Sequence, residues 1–308
     1  MSSKPLVSVI TPALNAADTI SETIESVRAQ SYQYWEMLIV DDGSTDSTAD
    51  IVGGFAARDP RIRLIRLESN TGTPGRAKNA ALPLARGEFL AFLDADDSWI
   101  EKKLELQLER MQVESADLCY TGGWFIDAES KCTSQFRPRY GAGWLFARLL
   151  AQYEINNQSV VIRRQAVNAL AMPFFNPDIT IGEDCEFFMR LARNVIAVGI
   201  PEPMVYYRVH GRSISASHLS QAHEGLAEVY RWVKQDPELA ERCRRSLKKL
   251  EAKICFYRAK AAMSVGDAAT ARALMWPVAL VDWRYAVLAF ATLSPSIWRW
   301  FLGFGRRP

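Results

Sequence analysis

Apolar runs and polar breaks alternate in a regular order through the first third of the chain. Residues 6–12 form a Val/Ile-rich run that reads as a buried strand. A helix is expected from Asp18, with Ile20, Ile24 and Val27 at helical spacing. Asp18 is placed to cap it, and Glu22 and Glu25 suit its first turns. Residues 36–40 predict a second strand and residues 47–57 a second helix. Between Arg61 and Leu67 apolar and cationic residues interleave, which suits a short strand near a sheet edge. A Gly/Pro/Thr loop at 70–74 leads into an Ala-rich helix over 76–84. A strand at 88–93 and an amphipathic helix over 99–112 follow. This alternation predicts an α/β fold, a mostly parallel central sheet with helices on both faces.

Beyond Ala116 the pattern is less regular. Short antiparallel strands are expected at 118–120 and 123–127, and another strand at 159–162 before a helix from Arg164. Final strands are expected at 195–198 and 204–207. From Ser217 onwards helical spacing dominates, over 226–233, 239–263 and 268–280, with turns at Pro237 and Gly266-Asp267. A boundary near 215–220 divides a catalytic domain, residues 1–216, from a C-terminal α-helical appendage, residues 217–308.

Composition changes this picture little. Of 308 residues, 49% are hydrophobic and 23% charged, ordinary for a globular protein with a sizeable core. The five cysteines are odd in number and show no CxxC spacing, which reads as reduced thiols in a reducing compartment. No signal-like segment and no spanning run is visible; the longest candidate, Tyr285 to Trp298, is short and contains Pro295. The expected location is cytoplasmic. Charge is more informative. Residues 1–215 carry 22 Lys/Arg against 27 Asp/Glu, a balance of −5, and residues 216–308 carry 15 against 8, a balance of +7. With Trp283, Trp298, Trp300 and Arg306-Arg307, the basic end is a candidate peripheral contact with an anionic membrane surface. A solvated helical face with core tryptophans is the alternative. Nucleic acid is not expected as a partner.

The candidate chemistry lies in three acidic clusters. Asp41-Asp42-Gly43-Ser44-Thr45-Asp46 ends one apolar run, Asp94-Ala95-Asp96-Asp97 ends another, and Glu183-Asp184 opens a helix-like stretch. In open α/β sheets ligands bind at the carboxyl ends of strands, and acids there are costly unless they meet a ligand, a metal or a proton. With Val7 to Asn15, Gly75-Arg76-Ala77-Lys78-Asn79 and Tyr207-Arg208-Val209-His210, these motifs stand in an order that resembles the inverting nucleotide-sugar glycosyltransferases of family 2, of GT-A fold. The resemblance spans roughly residues 6 to 215.

The resemblance implies a sugar moved from a nucleoside diphosphate donor, a UDP-sugar favoured, to a hydroxyl of a glycan or lipid-linked glycan, in cell-surface polysaccharide synthesis. Pro12, Asn15, Asp42, Ser44, Arg76, Lys78, Asp94 and Ala95 would bind the donor. Asp42 would accept from a base imide N–H, a role that suits an acceptor-only carboxylate. Leu14 stands where the family often has an aromatic residue, so a dTDP- or GDP-sugar stays open. Asp96, with His210, would hold Mn2+ or Mg2+. Asp184 would be the general base, and Glu183 and Trp124 would face the acceptor.

Structural roles compete at each position. Asp-Gly-Ser is turn chemistry, and Asp46 suits a cap of the next helix. Arg76 and Lys78 could be exposed helix cations. Asp97 and Asp184 could cap the helices they precede, and Trp124 could be core. Three other functions are compatible with an α/β sheet bearing acids. A sugar-phosphate nucleotidyltransferase would carry a Gly-rich cationic signature after the first strand, where Thr11-Pro12-Ala13-Leu14-Asn15 stands. A non-catalytic sugar- or membrane-binding scaffold would not need all three acidic clusters intact. A dinucleotide-dependent dehydrogenase lacks its GxGxxG.

Overall fold

The computed structural model describes residues 4–209, 223–294 and 297–298. The chain falls into two compact units. The first holds the described residues of Met1–Leu145, Glu154–Asp178 and Arg190–His210. The second holds Phe146–Tyr153, Ile179–Met189 and the described residues of Gly211–Pro308. The boundary expected near 215–220 falls outside the described residues.

In the first unit, β1 (Val7–Ala13), β2 (Trp35–Asp41), β3 (Ile62–Arg66) and β4 (Phe89–Phe92) run parallel in the order β3-β2-β1-β4. The crossovers carry α1 (Ile20–Arg28), α2 (Thr48–Ala56) and α3 (Pro74–Ala81). The chain steps outward from β1 to β3, then returns to the far side of β1 at β4. Strand order therefore reverses at β1, and the crevice beyond such a reversal is where α/β sheets bind ligands. Next to β4 comes β9 (Val161–Arg163), antiparallel to it and to β6 (Leu118–Ile126), which is parallel to β10 (Ala197–Arg208). Three short strands complete the sheet. β5 (Ser98–Trp99) and β8 (Ala142–Gly143) pair with β10, and β7 (Cys132–Phe136) pairs with β6.

β1 and β2 are buried on both faces, which is why they read as apolar runs, whereas the edge strand β3 alternates apolar and cationic residues. Alternation sends Val7, Val9, Met37 and Ile39 to one face, where Ile20, Ile24 and Val27 of α1 cover them.

Three departures from the expected elements have local causes. The helix expected over 99–112 is α4 (Lys103–Val113), because Ser98 and Trp99 are drawn into pairing with Tyr206 and Val205. Each pair of short strands expected at 118–127 and 195–207 is one strand, β6 and β10, and the two are parallel to each other. β10 carries register shifts on either side of Pro203. Pro201 and Pro203 have no N–H, so the ladder cannot close there and the strand bulges instead. Asp18 is not the cap of α1. The helix starts at Ile20, and the Ala16 carbonyl accepts the N–H groups of Thr19 and Ile20.

In the second unit, α5 (Phe146–Ala151) accompanies α8 (Glu224–Lys234), α9 (Pro237–Arg242), α10 (Arg244–Ser264), α11 (Ala268–Met275) and α12 (Trp283–Ala291). Between them in sequence come α6 (Arg164–Asn168) of the first unit and α7 (Glu183–Ala192). Asp236, Asp267 and Asp282 cap α9, α11 and α12 with their side chains. Small residues, Ala252, Ala259, Ala271, Ala289 and Ala291, let the helices approach closely. Trp298, expected at an interface, is instead buried in this core, 6.3 Å from the Phe256 ring centre. Trp300 and Arg306-Arg307 lie outside the described residues. No helix among the described residues is long and apolar enough to cross a membrane.

Glu36 ties the start of the parallel sheet together. It is buried in β2 and accepts from Ser8 Oγ at 2.7 Å, Arg86 N–H at 2.7 Å and Arg86 Nε at 2.9 Å. Burial pushes its carboxyl up, but these donors and the Arg86 charge outweigh burial and hold it below the ordinary range. A lowered folded-state value adds stability that is present above the ordinary Glu range and is lost as pH falls through the folded value. Glu36→Gln is expected to cost about 2 kcal/mol at neutral pH. Denaturant midpoints measured against pH should show this deficit shrinking below about pH 4; a deficit constant with pH would contradict the assignment.

Candidate functional site

The loops that leave β1 and β2 are laced together. Asn15, with φ of +49°, donates its N–H to Ser44 Oγ at 3.0 Å and accepts from Thr45 N–H at 2.8 Å. Ala16 N–H donates to Thr48 Oγ1 at 2.8 Å, and Ala17 N–H to Asp46 at 3.1 Å. Asp46 also accepts both the N–H and the hydroxyl of Thr48. Burial raises its carboxyl, but these bonds prevail and hold it low. Asp46 thus holds the turn that leads into α2. Pro12 lies in β1 opposite Val40, and Leu14 is exposed just beyond the strand.

Asp41 and Asp42 sit buried where β2 ends. Asp41 accepts from Ser44 N–H at 3.2 Å and stands 3.8 Å from the Arg66 guanidinium. Asp42 is held differently: Thr71 N–H donates to one oxygen at 2.9 Å and the Thr71 hydroxyl to the other at 3.0 Å. Gly43 permits this approach. Its φ is +76°, and a Cβ there would stand 2.7 Å from Asn70 N. One donor per oxygen leaves Asp42 with acceptor capacity to spare.

The same loop leads into α3. Thr73 caps it by accepting Arg76 N–H, and Pro74 occupies the first turn. Arg76 is exposed, but its guanidinium is spanned between the carbonyls of Thr71 and Pro177, at 3.0 and 2.9 Å. Lys78 is not an exposed helix cation. It is buried, with its ammonium 5.0 Å from the Phe175 ring centre.

The third cluster follows β4. Asp94 accepts from Gln158 Nε2 at 2.7 Å and Asn157 Nδ2 at 3.2 Å. The Ala95 carbonyl accepts from the hydroxyls of Thr19 and Thr23, at 2.9 and 3.0 Å. Asp96 is half-buried. Asp97 caps no helix, since β5 follows and α4 starts only at Lys103. It turns inward instead: Oδ1 accepts from Arg208 N–H at 2.7 Å, and Oδ2 is buried with no hydrogen-bond partner. Burial, then the charges of Asp96 and Asp94, push its carboxyl well above the ordinary range. Arg208, also buried, donates to the Asp96 carbonyl at 3.0 Å, to Ser130 Oγ at 2.8 Å and to Glu22 at 2.7 Å.

Asp42 and Asp94 thus end β2 and β4, the two neighbours of β1, at the point where strand order reverses. Trp124 lies half-buried in β6, opposite Tyr206 and Gln135. Glu183 and Asp184 belong to the second unit. α7 begins at Glu183, so Asp184 lies inside its first turn and accepts Cys185 N–H at 2.7 Å. Gly182, with φ of +86°, sets up this entry and packs on Gly225 at the start of α8, where a Cβ would collide with the Gly182 carbonyl. His210 lies outside the described residues.

The loops that hold these acids match a known family. The model of glycosyl transferase family 2 matches residues 8–163. TuaG of Bacillus subtilis, a glycosyltransferase named for teichuronic acid biosynthesis, is 37% identical over 233 residues, covering 75% of this chain and 90% of TuaG. The chain belongs to glycosyl transferase family 2. WfaP of Escherichia coli, named as a UDP-Glc:alpha-D-GlcNAc-diphosphoundecaprenol beta-1,3-glucosyltransferase, is 33% identical, covering 70% of this chain and 82% of WfaP. Crystal structures of S. aureus TarS 1-349 with UDP or UDP-GlcNAc match with TM-score 0.68 and 20% identity, covering 94% of this chain and 88% of theirs. The mannosyltransferase PcManGT of Pyrobaculum calidifontis, in complex with GDP-Man and Mn2+, matches with TM-score 0.62 and 20% identity, covering 99% of this chain and 89% of PcManGT. The fold is GT-A, and the family match sets the nucleotidyltransferase reading aside.

Members of this fold commonly use a divalent ion. Among the described residues, no three His, Cys, Asp or Glu side chains converge as a metal cage. The acids after β4 nevertheless offer hard oxygen donors. A lone carboxylate with the rest of the shell left to a diphosphate is how Mg2+ and similar ions are usually held, so the residues fit.

Reading by motif missed several of these positions. Thr71, Asn157 and Gln158 hold the acids but stand in stretches without a distinctive pattern. Arg208 lies within a quoted motif, yet nothing in the sequence says it reaches Glu22. Arg208→Gln is expected to lower stability by about 2–3 kcal/mol, since charge-assisted hydrogen bonds are lost. Thermal melts should show it, with increased proteolysis in residues 127–131. A melt like that of the native chain would mean that this arginine does not hold the Asp96-Asp97 turn.

Proposed function

We propose that the chain is an inverting glycosyltransferase that moves a sugar from a nucleoside diphosphate donor, a UDP-sugar favoured, to a hydroxyl of a lipid-linked glycan. The observation that carries this reading is the placing of Asp42 and Asp94 on either side of β1, each fastened by named donors. Asp42 takes the base imide N–H beside Thr71. Asp94 takes ribose or sugar hydroxyls, and Pro12, Asn15, Ser44 and Ala95 shape the walls around the nucleotide. Arg76, with the N-terminus of α3, faces the diphosphate, and the buried Lys78 contributes its positive charge from within the unit. Support for UDP comes from the TarS complexes and from the name of WfaP. Leu14 offers no stacking face, so dTDP and GDP donors belong in the same test.

Asp96, with His210, would hold Mn2+ or Mg2+, which when bound neutralises the departing diphosphate. Asp184 receives the acceptor proton. The acceptor oxygen bonds to the anomeric carbon, the bond from that carbon to the diphosphate breaks on the opposite face, and the hydroxyl proton passes to the carboxylate. Cys185 N–H fixes one Asp184 oxygen for this role. Glu183 and Trp124 orient the acceptor.

Transfer from UDP-, dTDP- and GDP-sugars to lipid-linked acceptors, with and without Mn2+, tests the reading. One donor class is expected to react, and more strongly with Mn2+. No transfer with any donor would leave a binding scaffold. Asp96→Asn should lose Mn2+-enhanced donor binding with the fold retained. Asp184→Asn should bind donor normally, melt like the native chain and turn over roughly 10²–10⁴-fold more slowly. Near-normal turnover with a lowered melting temperature would make Asp184 a helix-capping residue only.

The second unit supplies the surface for a lipid-linked substrate. Leu280 is 98% exposed and Trp283 75%, and Trp276 stacks edge-on with exposed Phe290 at 5.1 Å. Exposed Arg245, Lys248 and Lys249 lie on one side of α10, and the Lys249 charge reaches Asp282 at the start of α12. Aromatic residues flanked by cations suit an anionic lipid interface. The full chain is expected to co-sediment with phosphatidylglycerol vesicles, less so in high salt and less in Leu280→Glu/Trp283→Glu. A chain that stays in the supernatant at low salt would assign the patch to a protein contact.

A further inference from the structure

Behind Asp94 lies a buried polar cluster that no step above uses. Lys103 and Gln107, one turn apart on α4, are fully excluded from solvent. Long polar side chains are rarely buried this deeply unless paired. Here the pairing is complete and directional. Lys103 Nζ donates to Gln107 Oε1 at 2.7 Å and stands 4.0 Å from the Trp99 ring centre. Burial pushes the Lys103 amine down to about 7, and in this geometry its Nζ is the donor and the Gln107 amide oxygen the acceptor. The amide nitrogen must then point the other way. It donates to the Ser159 carbonyl at 2.9 Å and the Cys119 carbonyl at 3.2 Å. Trp99 Nε1 donates to the Gln158 carbonyl at 2.9 Å. Two successive carbonyls of the 156–159 turn are therefore anchored from below. The side chains that rise from that turn, Asn157 and Gln158, are the ones that grip Asp94.

We propose that Gln107, oriented by Lys103 and assisted by Trp99, is a positioning residue for the donor site, setting the 156–159 turn and through it the side chain of Asp94. This rests on the reading that Asp94 contacts the donor. Stability alone does not call for such a cluster. Replacing a buried polar group and its partner by apolar chains of similar size is often neutral or stabilising, because the desolvation of the charge is no longer incurred. What the cluster supplies is direction, since the Ser159 and Cys119 carbonyls can only accept, and the amide orientation that presents N–H groups to them turns its oxygen to Lys103.

Lys103→Met/Gln107→Met separates direction from stability. The two methionines keep roughly the volume and strand no charge. The change removes a buried amine but leaves the Ser159 and Cys119 carbonyls without the Gln107 N–H, so a modest fall in melting temperature is expected with the chain still folded. Affinity for whichever of UDP, dTDP and GDP the native chain binds, with and without its sugar, should fall about tenfold. In a cycle with Asp94→Asn, the combined variant should bind no worse than Asp94→Asn alone, because both changes act through one carboxylate. Trp99→Phe keeps the ring under Lys103 and removes a single N–H, so it tests the same turn even if the double variant does not fold; a smaller loss of affinity is expected. Native affinity in the folded double variant or in Trp99→Phe, with Asp94→Asn impaired, would overturn the proposal and leave the donor reading standing. Additive losses in the cycle would overturn it as well. Native affinity in Asp94→Asn itself would overturn the donor reading, and this proposal with it.

Discussion

A carboxylate at the end of a buried strand must be met by donors, and the first unit is built around meeting that requirement. Glu36 is met by Ser8 and Arg86, Asp42 by Thr71, and Asp94 by Asn157 and Gln158. Each meeting joins segments far apart in sequence. The parallel sheet places the acids; Ser8 comes from β1 itself, and the other donors come from the loops and from the irregular half that follows β4. Asp97 marks the limit of the arrangement, with one oxygen on Arg208 N–H and the other buried without a partner. Burial first, and then the charges of Asp96 and Asp94, push the Asp97 carboxyl upward and favour its neutral form.

This division explains how much could be read beforehand. Strands buried on both faces announce themselves as continuous apolar runs, so β1, β2 and β4 were legible, and β3 was legible from its apolar and cationic alternation at the sheet edge. The acids were legible too, because Asp41-Asp42 and Asp94 to Asp97 stand directly after such runs. Long-range partners were not. Nothing local marks Gln158 as the donor to Asp94, or Trp99 as a strand residue rather than the start of a helix; both depend on elements that arrive later in the chain. The cap expected of Asp18, and the capping role that competed at Asp97, fail for the same reason. Each has the local signature of a cap, but a backbone carbonyl at Ala16 and a backbone N–H at Arg208 set the local geometry instead.

In the second unit, capping was locally encoded and burial was not. Asp236, Asp267 and Asp282 each cap the helix that follows, two of them at the turns expected around Pro237 and Gly266-Asp267. Tryptophans look alike in sequence, yet Trp298 is core and Trp283 is surface. Which aromatic faces outward follows from how α10 and α12 pack, so the apolar patch with its cations could be placed only once the helices were in view.

The most direct measurement is a crystal structure of the native chain soaked with Mn2+ and the nucleoside diphosphate it binds. The base edge is expected within hydrogen-bond distance of the Asp42 carboxylate beside Thr71, with the ribose at Asp94 and the diphosphate near Asp96. Nucleotide density elsewhere on the chain, with Asp42 and Asp94 untouched, would contradict the assignment of these strand-end acids to the donor.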